Sequence, residues 1–138
     1  RKLVYQHGIK LLAIDYLGLV KGGNDFEGAS ENSRLCKIGA RQLDIPLIAL
    51  HQLKREVALR PDKRPILQDL KQTGQTEQDA DIVIFIHRDG YYQDSGLTEE
   101  PAELIVAKQR DGATGTIPLI WCAETMSFCE PPADSPSL

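Results

Sequence analysis

The sequence is poor in cysteine and has no long apolar run. Its three cysteines show no C-x-x-C spacing and no nearby histidine partner: Cys36, Cys122 and Cys129. This pattern indicates neither a disulfide framework nor a zinc site. No apolar stretch approaches the roughly 18 residues of a membrane-spanning helix, and the amino-terminal segment lacks the apolar core of a secretory signal. We therefore expect a cytoplasmic protein with no membrane partner.

An excess of positive charge is also missing. The 138 residues carry 16 basic and 20 acidic side chains, which gives a net charge of −4. This balance excludes a uniformly basic nucleic-acid-binding surface, although a local basic loop can still hold phosphates. With 41% hydrophobic residues the chain can bury a core, and its length suits one domain, whole or incomplete.

Short apolar runs followed by polar residues indicate an α/β protein. Three runs are typical of buried parallel strands: Lys10–Ile14, Pro46–Leu50 and Ile82–Ile86. Two further runs, Ala102–Ala107 and Ile117–Trp121, flank a turn at Asp111–Gly115 and predict a carboxy-terminal β-hairpin. Pro118 places the last of these strands at a sheet edge, because proline cannot donate a ladder hydrogen bond.

Helices are predicted before and after the first strand. Arg1–His7 is followed by a glycine, which is typical of a helix C-terminus. Ser30 can cap a second helix that runs to about Asp44. The Gly-, Asn- and Asp-rich segment 18–30 before it is interpreted as a mobile loop. The proline- and serine-rich tail 131–138 is predicted to be disordered.

A single carboxylate, Asp15, closes the first predicted strand. In open α/β sheets ligands bind beyond the carboxyl ends of the strands, where a carboxylate can order a metal ion at a nucleotide. The alternative is an aspartate that only caps the turn after a core strand. The polar pair His51-Gln52 follows the second strand in the same way.

Five segments of the chain are specific as an ordered set. They are Ile14–Leu17, Ile45–Leu53, Arg60–Pro65, Glu77–Asp81 and Ala107–Gly115. Together they resemble the second half of the motor domain of DnaB-type replicative DNA helicases, over about residue 1 to Trp121. The resemblance implies that residues 1–130 form part of a RecA-like P-loop NTPase fold. Such a fold is a mostly parallel sheet flanked by helices, here with a carboxy-terminal β-hairpin.

The resemblance also implies the catalytic residues. Asp15 matches the Walker B acid that orders the water shell of Mg²⁺ beside ATP. Gln52 matches a polar residue that senses the γ-phosphate, a role that suits an amide because it both donates and accepts hydrogen bonds. Lys108 and Arg110 match a pair that each subunit supplies to its neighbour's ATP, and residues two apart on a strand emerge on one face.

A DNA-binding loop is implied at Lys71, Gln72, Thr73 and Gly74. In the family this loop follows the phosphate backbone of single-stranded DNA in the channel of a homohexamer. Glycine allows the main chain to approach a phosphate closely, and one cation adds a contact that does not depend on sequence. The implied function is ATP-dependent unwinding of duplex DNA at the replication fork, with primase and a helicase loader as further partners.

The sequence departs from the family pattern at some positions. His51 stands where a small hydroxyl residue is expected, so a simple strand-end histidine is favoured over a catalytic one. The DNA loop begins Lys-Gln rather than Arg-Glu, which keeps one charge and loses a bidentate fork. No G-x-x-x-x-G-K-[ST] loop occurs in the 138 residues, and the resemblance places it upstream of Arg1. The chain is therefore interpreted as half a motor, inactive alone, that lacks a middle strand between Pro46–Leu50 and Ile82–Ile86.

Three other functions stay open at this point. A truncated adaptor or DNA-binding remnant of such a helicase would need no nucleotide. A metal-dependent nuclease or phosphotransferase would use Asp15, Asp79 and Asp81 as an acid cluster, although the last two precede an apolar strand and suit a turn. A RecA-type ATPase with a recombination or clock role is a third alternative, disfavoured by the Lys-Gln-Arg hairpin.

Overall fold

A computed structural model describes residues 2–20, 26–70, 74–92 and 96–132. Three of the four predicted DNA-loop residues, Lys71, Gln72 and Thr73, lie outside these ranges, as do part of the predicted loop at 18–30 and most of the predicted tail. The chain divides into two compact units. Unit 1 comprises residues 1–54 and 67–80, and unit 2 comprises residues 55–66 and 81–138.

The described part of unit 1 contains three helices and a pair of short strands. Its elements in chain order are α1 (Lys2–His7), β1 (Leu12–Ile14), α2 (Phe26–Leu43), β2 (Leu47–Ala49) and α3 (Gly74–Asp79). β1 and β2 are parallel, with Leu12 opposite Leu47 and Ile14 opposite Ala49. Helices α2 and α3 pack against each other. Short 3₁₀ turns at Leu17–Leu19 and Leu67–Asp69 complete the unit.

The helix ends show which local signals decided the boundaries. α1 ends before Gly8, whose φ of +62° provides the left-handed stop that the sequence predicts. α2 begins at Phe26 rather than at Ser30, so the predicted start was wrong by one turn. Glu27 already supplies the acidic first turn, and the glycine after it does not stop the helix. At the other end Asp44 takes a φ of +52°, which closes α2 just before β2.

Unit 2 is built on a four-stranded antiparallel sheet. The strands are β3 (Ile82–Arg88), β4 (Glu99–Gln109), β5 (Gly115–Cys122) and β6 (Ser127–Cys129), hydrogen-bonded in the order β3-β4-β5-β6. The predicted β4–β5 hairpin is present. Unit 2 also contains two 3₁₀ turns, Arg55–Leu59 and Asp89–Tyr91, and the second of them follows β3 directly.

The prediction of a mostly parallel sheet was wrong for the residues that the structure describes. β1 and β2 form one parallel pair there, whereas β3 pairs with β4 in the antiparallel sense. The apolar run of β3 looks like a strand buried on both faces. In the structure Val83 and Phe85 are buried, while Ile82 and Ile84 are more than half exposed. Both faces of β3 are apolar, so the sequence hides the period of two that marks an antiparallel strand with one exposed face.

The antiparallel sheet is also larger than the sequence predicts. β4 starts at Glu99, three residues before the predicted strand, and takes in part of the acidic stretch that precedes it. β6 was not predicted. Pro118 nevertheless occupies an edge position, because β6 pairs only with residues 120–122 of β5 and leaves the other side of Pro118 without a strand partner in the described ranges.

The buried apolar side chains are few in the described ranges and are divided between the units. Unit 1 buries Leu17, Ala29 and Leu70, and unit 2 buries Val57, Val83, Phe85 and Ala102. Several polar side chains are buried with them, including His87 and Glu100 of unit 2. None of the helices among the described residues is long and apolar enough to cross a bilayer.

Candidate functional site

Asp15 follows β1 directly, at the carboxyl end of the parallel pair. Two backbone hydrogen bonds of 2.9 Å fix this end: the Leu50 amide donates to the Ile14 carbonyl, and the Leu17 amide donates to the Leu50 carbonyl. Asp15 lies between the two bonded positions, its side chain is exposed, and its peptide bond to Tyr16 is cis. An exposed carboxylate fits a Mg²⁺ ion that keeps most of its waters, because such an ion needs few protein ligands.

Gln52 lies at the same end of the same pair, three residues after β2, and its side chain is exposed. The His51 ring bonds instead to the main chain, since Nδ1 donates to the Gln52 carbonyl oxygen over 2.9 Å. This bond fixes the proton on Nδ1 and occupies the ring in local structure. The structure therefore brings Asp15 and Gln52 to one end of the β1–β2 pair.

The chain just after Gln52 is joined to the chain just before the predicted DNA loop. Leu53 and Leu70 form an antiparallel bridge. The Lys54 amide donates to the Asp69 carbonyl over 2.8 Å, and Lys54 Nζ donates to the Gln68 carbonyl over 2.6 Å. This hydrogen-bonded link therefore joins the residues that follow Gln52 to the residues that precede position 71, a connection that no sequence spacing signalled.

Gly74 is the one predicted DNA-loop residue within the described ranges, and it begins α3. A Cβ at this position would meet no atom within 4 Å, so neither packing nor a positive φ requires glycine here. Beside it an open cleft of about 540 Å³ lies between α2 and α3. On the α2 side of that cleft Glu31 accepts two hydrogen bonds of 3.0 Å from Arg34, and these bonds lower the pKa of Glu31.

Lys108 and Arg110 lie in unit 2, at the carboxyl end of β4. The register of β4 shifts there: Val106 faces Ile84, but Lys108 faces Val83, so Ala107 forms a β-bulge. Directly opposed residues share a sheet face. Lys108 therefore emerges on the buried face with Val83, away from the exposed face of Ile84. The bulge was missed because no residue in this stretch signals one.

Arg110, just beyond β4, is held by Asp81, just before β3. The Arg110 amide donates to the Asp81 carbonyl over 2.9 Å, and the guanidinium Nη1 lies 3.3 Å from Asp81 Oδ1. Both side chains are about half exposed, so this ion pair costs little to open. Asp81, which the sequence also offered as a member of an acid cluster, is instead paired with Arg110.

The segment Arg60–Pro65, a conspicuous motif in the sequence, is clamped onto β4. Arg64 donates from Nε and Nη2 to the two carboxylate oxygens of Glu103, at 2.7 and 2.9 Å. This fork is the strongest contributor to the raised pKa of Arg64. The Arg64 amide also donates to Asp62 Oδ1 over 2.9 Å, and that bond lowers the pKa of Asp62.

A second arginine, Arg88, connects the ends of three strands. Its guanidinium carbon lies 4.6 Å from the ring centre of Trp121 on β5, and its Nε lies 3.5 Å from Glu100 on β4. Cation–π contact and ion pairing thereby hold β3, β4 and β5 together at one end. Sequence reasoning missed both Arg64 and Arg88 as organising residues, because their partners are distant in the chain.

The comparisons with known proteins identify the family of the chain. The family described as DnaB-like helicase C terminal domain matches residues 1–130. The chain belongs to this family. It is 43% identical over 133 residues to the replicative DNA helicase DnaB of Geobacillus stearothermophilus and, equally, to the replicative DNA helicase DnaC of Bacillus subtilis strain 168. Each match covers 93% of this chain and 29% of the relative, so the chain spans under a third of their length.

Solved structures give the same assignment. A DnaB-like replicative helicase, described with its interactions with primase, matches 93% of this chain and 32% of its own with a TM-score of 0.81 and 40% identity. A second solved structure, of an ATPase domain, matches 93% of this chain and 48% of its own, with a TM-score of 0.80 and 41% identity. The mixed α/β fold of this chain is therefore the fold of DnaB-type ATPase domains over the matched part.

Proposed function

We propose that this chain is the carboxy-terminal part of the ATP-driven motor of a replicative DNA helicase, which works in the cytoplasm as a RecA-like hexameric ring. The observation that carries this proposal is the family match over residues 1–130, with 43% identity to a replicative helicase. We assign unwinding at the replication fork to the whole protein, and parts of its nucleotide and DNA sites to the residues present here.

Asp15 is the proposed Mg²⁺-ordering acid. Its carboxylate is exposed at the end of β1 and can accept hydrogen bonds from the waters around the ion. When bound with ATP, the ion would neutralise charge on the phosphates. Asp15 itself orients the water shell, and the Leu17–Leu50 and Leu50–Ile14 backbone bonds hold its main chain in place.

Gln52 is the proposed sensor of the γ-phosphate, and the Leu53–Leu70 bridge is its route to DNA. A shift of Gln52 moves Leu53, and the bridge together with the Lys54 bonds carries that shift to Leu70. The next residue is Lys71, where the proposed DNA contacts of residues 71–74 begin. A contiguous set of bonded groups can carry coupling of this kind, and the link between Leu53–Lys54 and Gln68–Leu70 is such a set.

Lys108 and Arg110 are the proposed contribution to a neighbouring subunit's ATP. Arg110 must leave Asp81 to reach another subunit, and an exposed ion pair of this kind is worth about 1 kcal/mol or less. A guanidinium that meets the developing charge on the γ-phosphoryl oxygens stabilises the transition state more than the ground state. Primase is a proposed partner because the structural neighbour was described with primase, and a helicase loader is a further proposed partner.

A chimera tests the proposal. This chain replaces the matched segment of the Geobacillus relative, and the assembled rings are assayed for DNA-stimulated ATPase activity and strand separation. We expect both activities in the chimera and neither in its Asp15→Asn variant. Asp44→Asn is the matched control, because it makes the same chemical change at the amino end of β2 and asparagine tolerates a positive φ. Chimeric rings that assemble and bind DNA but hydrolyse no ATP would contradict the proposal.

A further inference from the structure

Two cysteines of unit 2 meet across the β5–β6 pair. Cys122 lies opposite Ser127 and Cys129 lies opposite Ile120, so the cysteines are diagonal neighbours on one sheet face. Their sulfur atoms are 3.4 Å apart. Cys122 is half-buried and Cys129 is exposed, so reagents can reach the pair.

The spacing of the two thiol sulfurs suits an atom that bridges them. A disulfide would require the sulfurs to close to about 2.05 Å. A tetrahedral centre that holds each thiolate at about 2.3 Å spaces the two sulfurs about 3.8 Å apart, which is much closer to the observed distance. A pyramidal centre has a narrower angle between its sulfurs and therefore spaces them less widely still.

The donor set then selects the kind of centre. Within the described ranges no group of three or more His, Cys, Asp or Glu side chains is arranged to hold a metal ion. A structural zinc site needs four ligands, and this pair supplies two. A trivalent organoarsenical, by contrast, is fully satisfied by two sulfurs and its own carbon.

We propose that Cys122 and Cys129 form a chelating dithiol site for one trivalent organoarsenical. With phenylarsine oxide, two arsenic–sulfur bonds form and the arsenic–oxygen bond breaks. The oxygen leaves as water with both thiol protons, and arsenic stays trivalent. The product is a closed ring that links β6 to β5.

The surroundings of Cys122 favour its protonated form. The Cys129 sulfur, hydrogen-bonded to the Cys122 thiol, raises the pKa of Cys122, and burial and the charges of Glu99 and Glu124 act in the same direction. Cys122 therefore stays protonated at neutral pH. The oxygen of the arsenical takes up the Cys122 proton and leaves as water, whereas a divalent cation would have to release that proton into solution.

Intact-mass spectrometry of this chain with one equivalent of phenylarsine oxide tests the site. We expect one arsenical per chain, with loss of one water, and an adduct that survives excess 2-mercaptoethanol but is removed by 2,3-dimercaptopropanol. Two attachment points should improve retention by roughly 10²- to 10⁴-fold over one. Cys122→Ser and Cys129→Ser should each lose that retention, while Cys36→Ser, in α2, should keep it.

Several results would overturn the proposal. These are an adduct that the monothiol removes as fast from the native chain as from either single variant, retention in Cys122→Ser, and an arsenical that joins two chains. Protection of both thiols from alkylation by equimolar Zn²⁺ would overturn the preference for a two-ligand centre. The two serine replacements lie on exposed or half-exposed positions, and circular dichroism of each variant verifies that unit 2 is folded.

Discussion

The two units present their site residues in different ways. In unit 1 Asp15 and Gln52 sit at the end of two strands of only three residues each, in which Ile14 and Leu47 are half-buried and the other residues are exposed. In unit 2 Lys108 and Arg110 stand at the tip of a hairpin whose strands have 11 and 8 residues, supported by β3. The residues proposed to serve the chain's own nucleotide therefore follow short, mostly exposed strands. The residues proposed to act on a neighbouring subunit lie on a long hairpin within a four-stranded sheet.

This difference matches the direction in which each residue is proposed to act. A residue that serves its own subunit's nucleotide needs only the carboxyl edge of a sheet, where ligands of α/β proteins bind. A residue that reaches into a neighbouring subunit must project beyond its own frame, and a long antiparallel hairpin does so without losing its backbone hydrogen bonds. Both units can therefore be tested by asking whether each carries the proposed role.

The largest effect is expected from Arg110→Ala in the chimeric ring. Loss of a charge-stabilising arginine should reduce ATP turnover by roughly 10³- to 10⁵-fold, with nucleotide binding and ring assembly retained. The measurement is ATPase rate at saturating ATP and single-stranded DNA. Near-normal turnover in the pure mutant would refute the role of Arg110.

Mixed rings show whether Arg110 acts in trans. Asp15→Asn subunits carry a dead site and an intact arginine, so mixing them with Arg110→Ala subunits should restore turnover at the interfaces that combine the two intact parts. Verified hexamers of this mixture that stay inactive would exclude the proposed geometry.

The next effect concerns nucleotide binding by this chain alone. The 138 residues hold no phosphate-cradling loop, so we expect no measurable binding of Mg²⁺-ATP in equilibrium dialysis. The chimera serves as the positive control. Micromolar binding by the isolated chain would show that unit 1 forms a nucleotide site without that loop, and it would exclude a nucleotide-independent adaptor.

Amide hydrogen exchange compares the local stability of the short strands of unit 1 with that of the antiparallel sheet of unit 2. Amides in the middle of β3 and β4, such as Phe85 and Ile105, should exchange at least about tenfold more slowly than those of β1 and β2, which corresponds to about 1.4 kcal/mol or more. Equal protection in both units would show that the chain opens as one cooperative unit instead.

Arg64→Ala should weaken unit 2 without touching the proposed catalytic groups. Glu103, whose side chain is 13% exposed, would lose both hydrogen bonds of the fork, while the half-exposed arginine is partly screened by water. We expect a loss of about 1–2 kcal/mol in free energy of unfolding, measured in urea. The free energy of unfolding of Arg64→Lys should lie between those of the unchanged chain and of Arg64→Ala, because lysine keeps the charge but cannot form the two-pronged contact.

The smallest effect is a pH dependence of the Arg60–Pro65 turn. The Arg64 amide holds the pKa of Asp62 below its ordinary value of 3.8. A lowered pKa means that the stabilising bond is complete above 3.8 and is lost as pH falls through the lower, folded-state value. The Arg64 amide resonance should therefore move in acid and stay fixed in Asp62→Asn. A shift with its midpoint above pH 3.8 would contradict the assigned bond.

The sequence predicts the parts of this molecule that are local. The stop of α1, the Asp15 strand end and the β4–β5 hairpin each depend on a few adjacent residues, and the structure contains all three. It does not predict pairing between distant segments. Three pairings between distant residues were not predicted: β3 with β4, Arg64 with Glu103, and Leu53 with Leu70. No regular sequence spacing marks any of these pairs.

The same distinction between local and long-range features applies to the candidate site. Asp15, Gln52, Lys108 and Arg110 were identified by resemblance to motifs, and their roles stay predictions. What the structure adds is their mechanical surroundings: the link from Gln52 toward residue 71 and the contact of Arg110 with Asp81. Those surroundings follow from tertiary packing, which one sequence does not display.

The bulge at Ala107 affects the orientation of the hairpin tip without affecting which side chains the tip carries. Deleting Ala107 would leave Lys108 opposite Val83 and Val106 opposite Ile84, so every side chain would keep its face. Only the extra twist and bend that a bulge introduces would disappear. The deletion would therefore change where the two cations point while preserving their charge, spacing and neighbours. The presence of one residue, Ala107, thus determines the orientation of the hairpin tip, whereas other residues determine its charge.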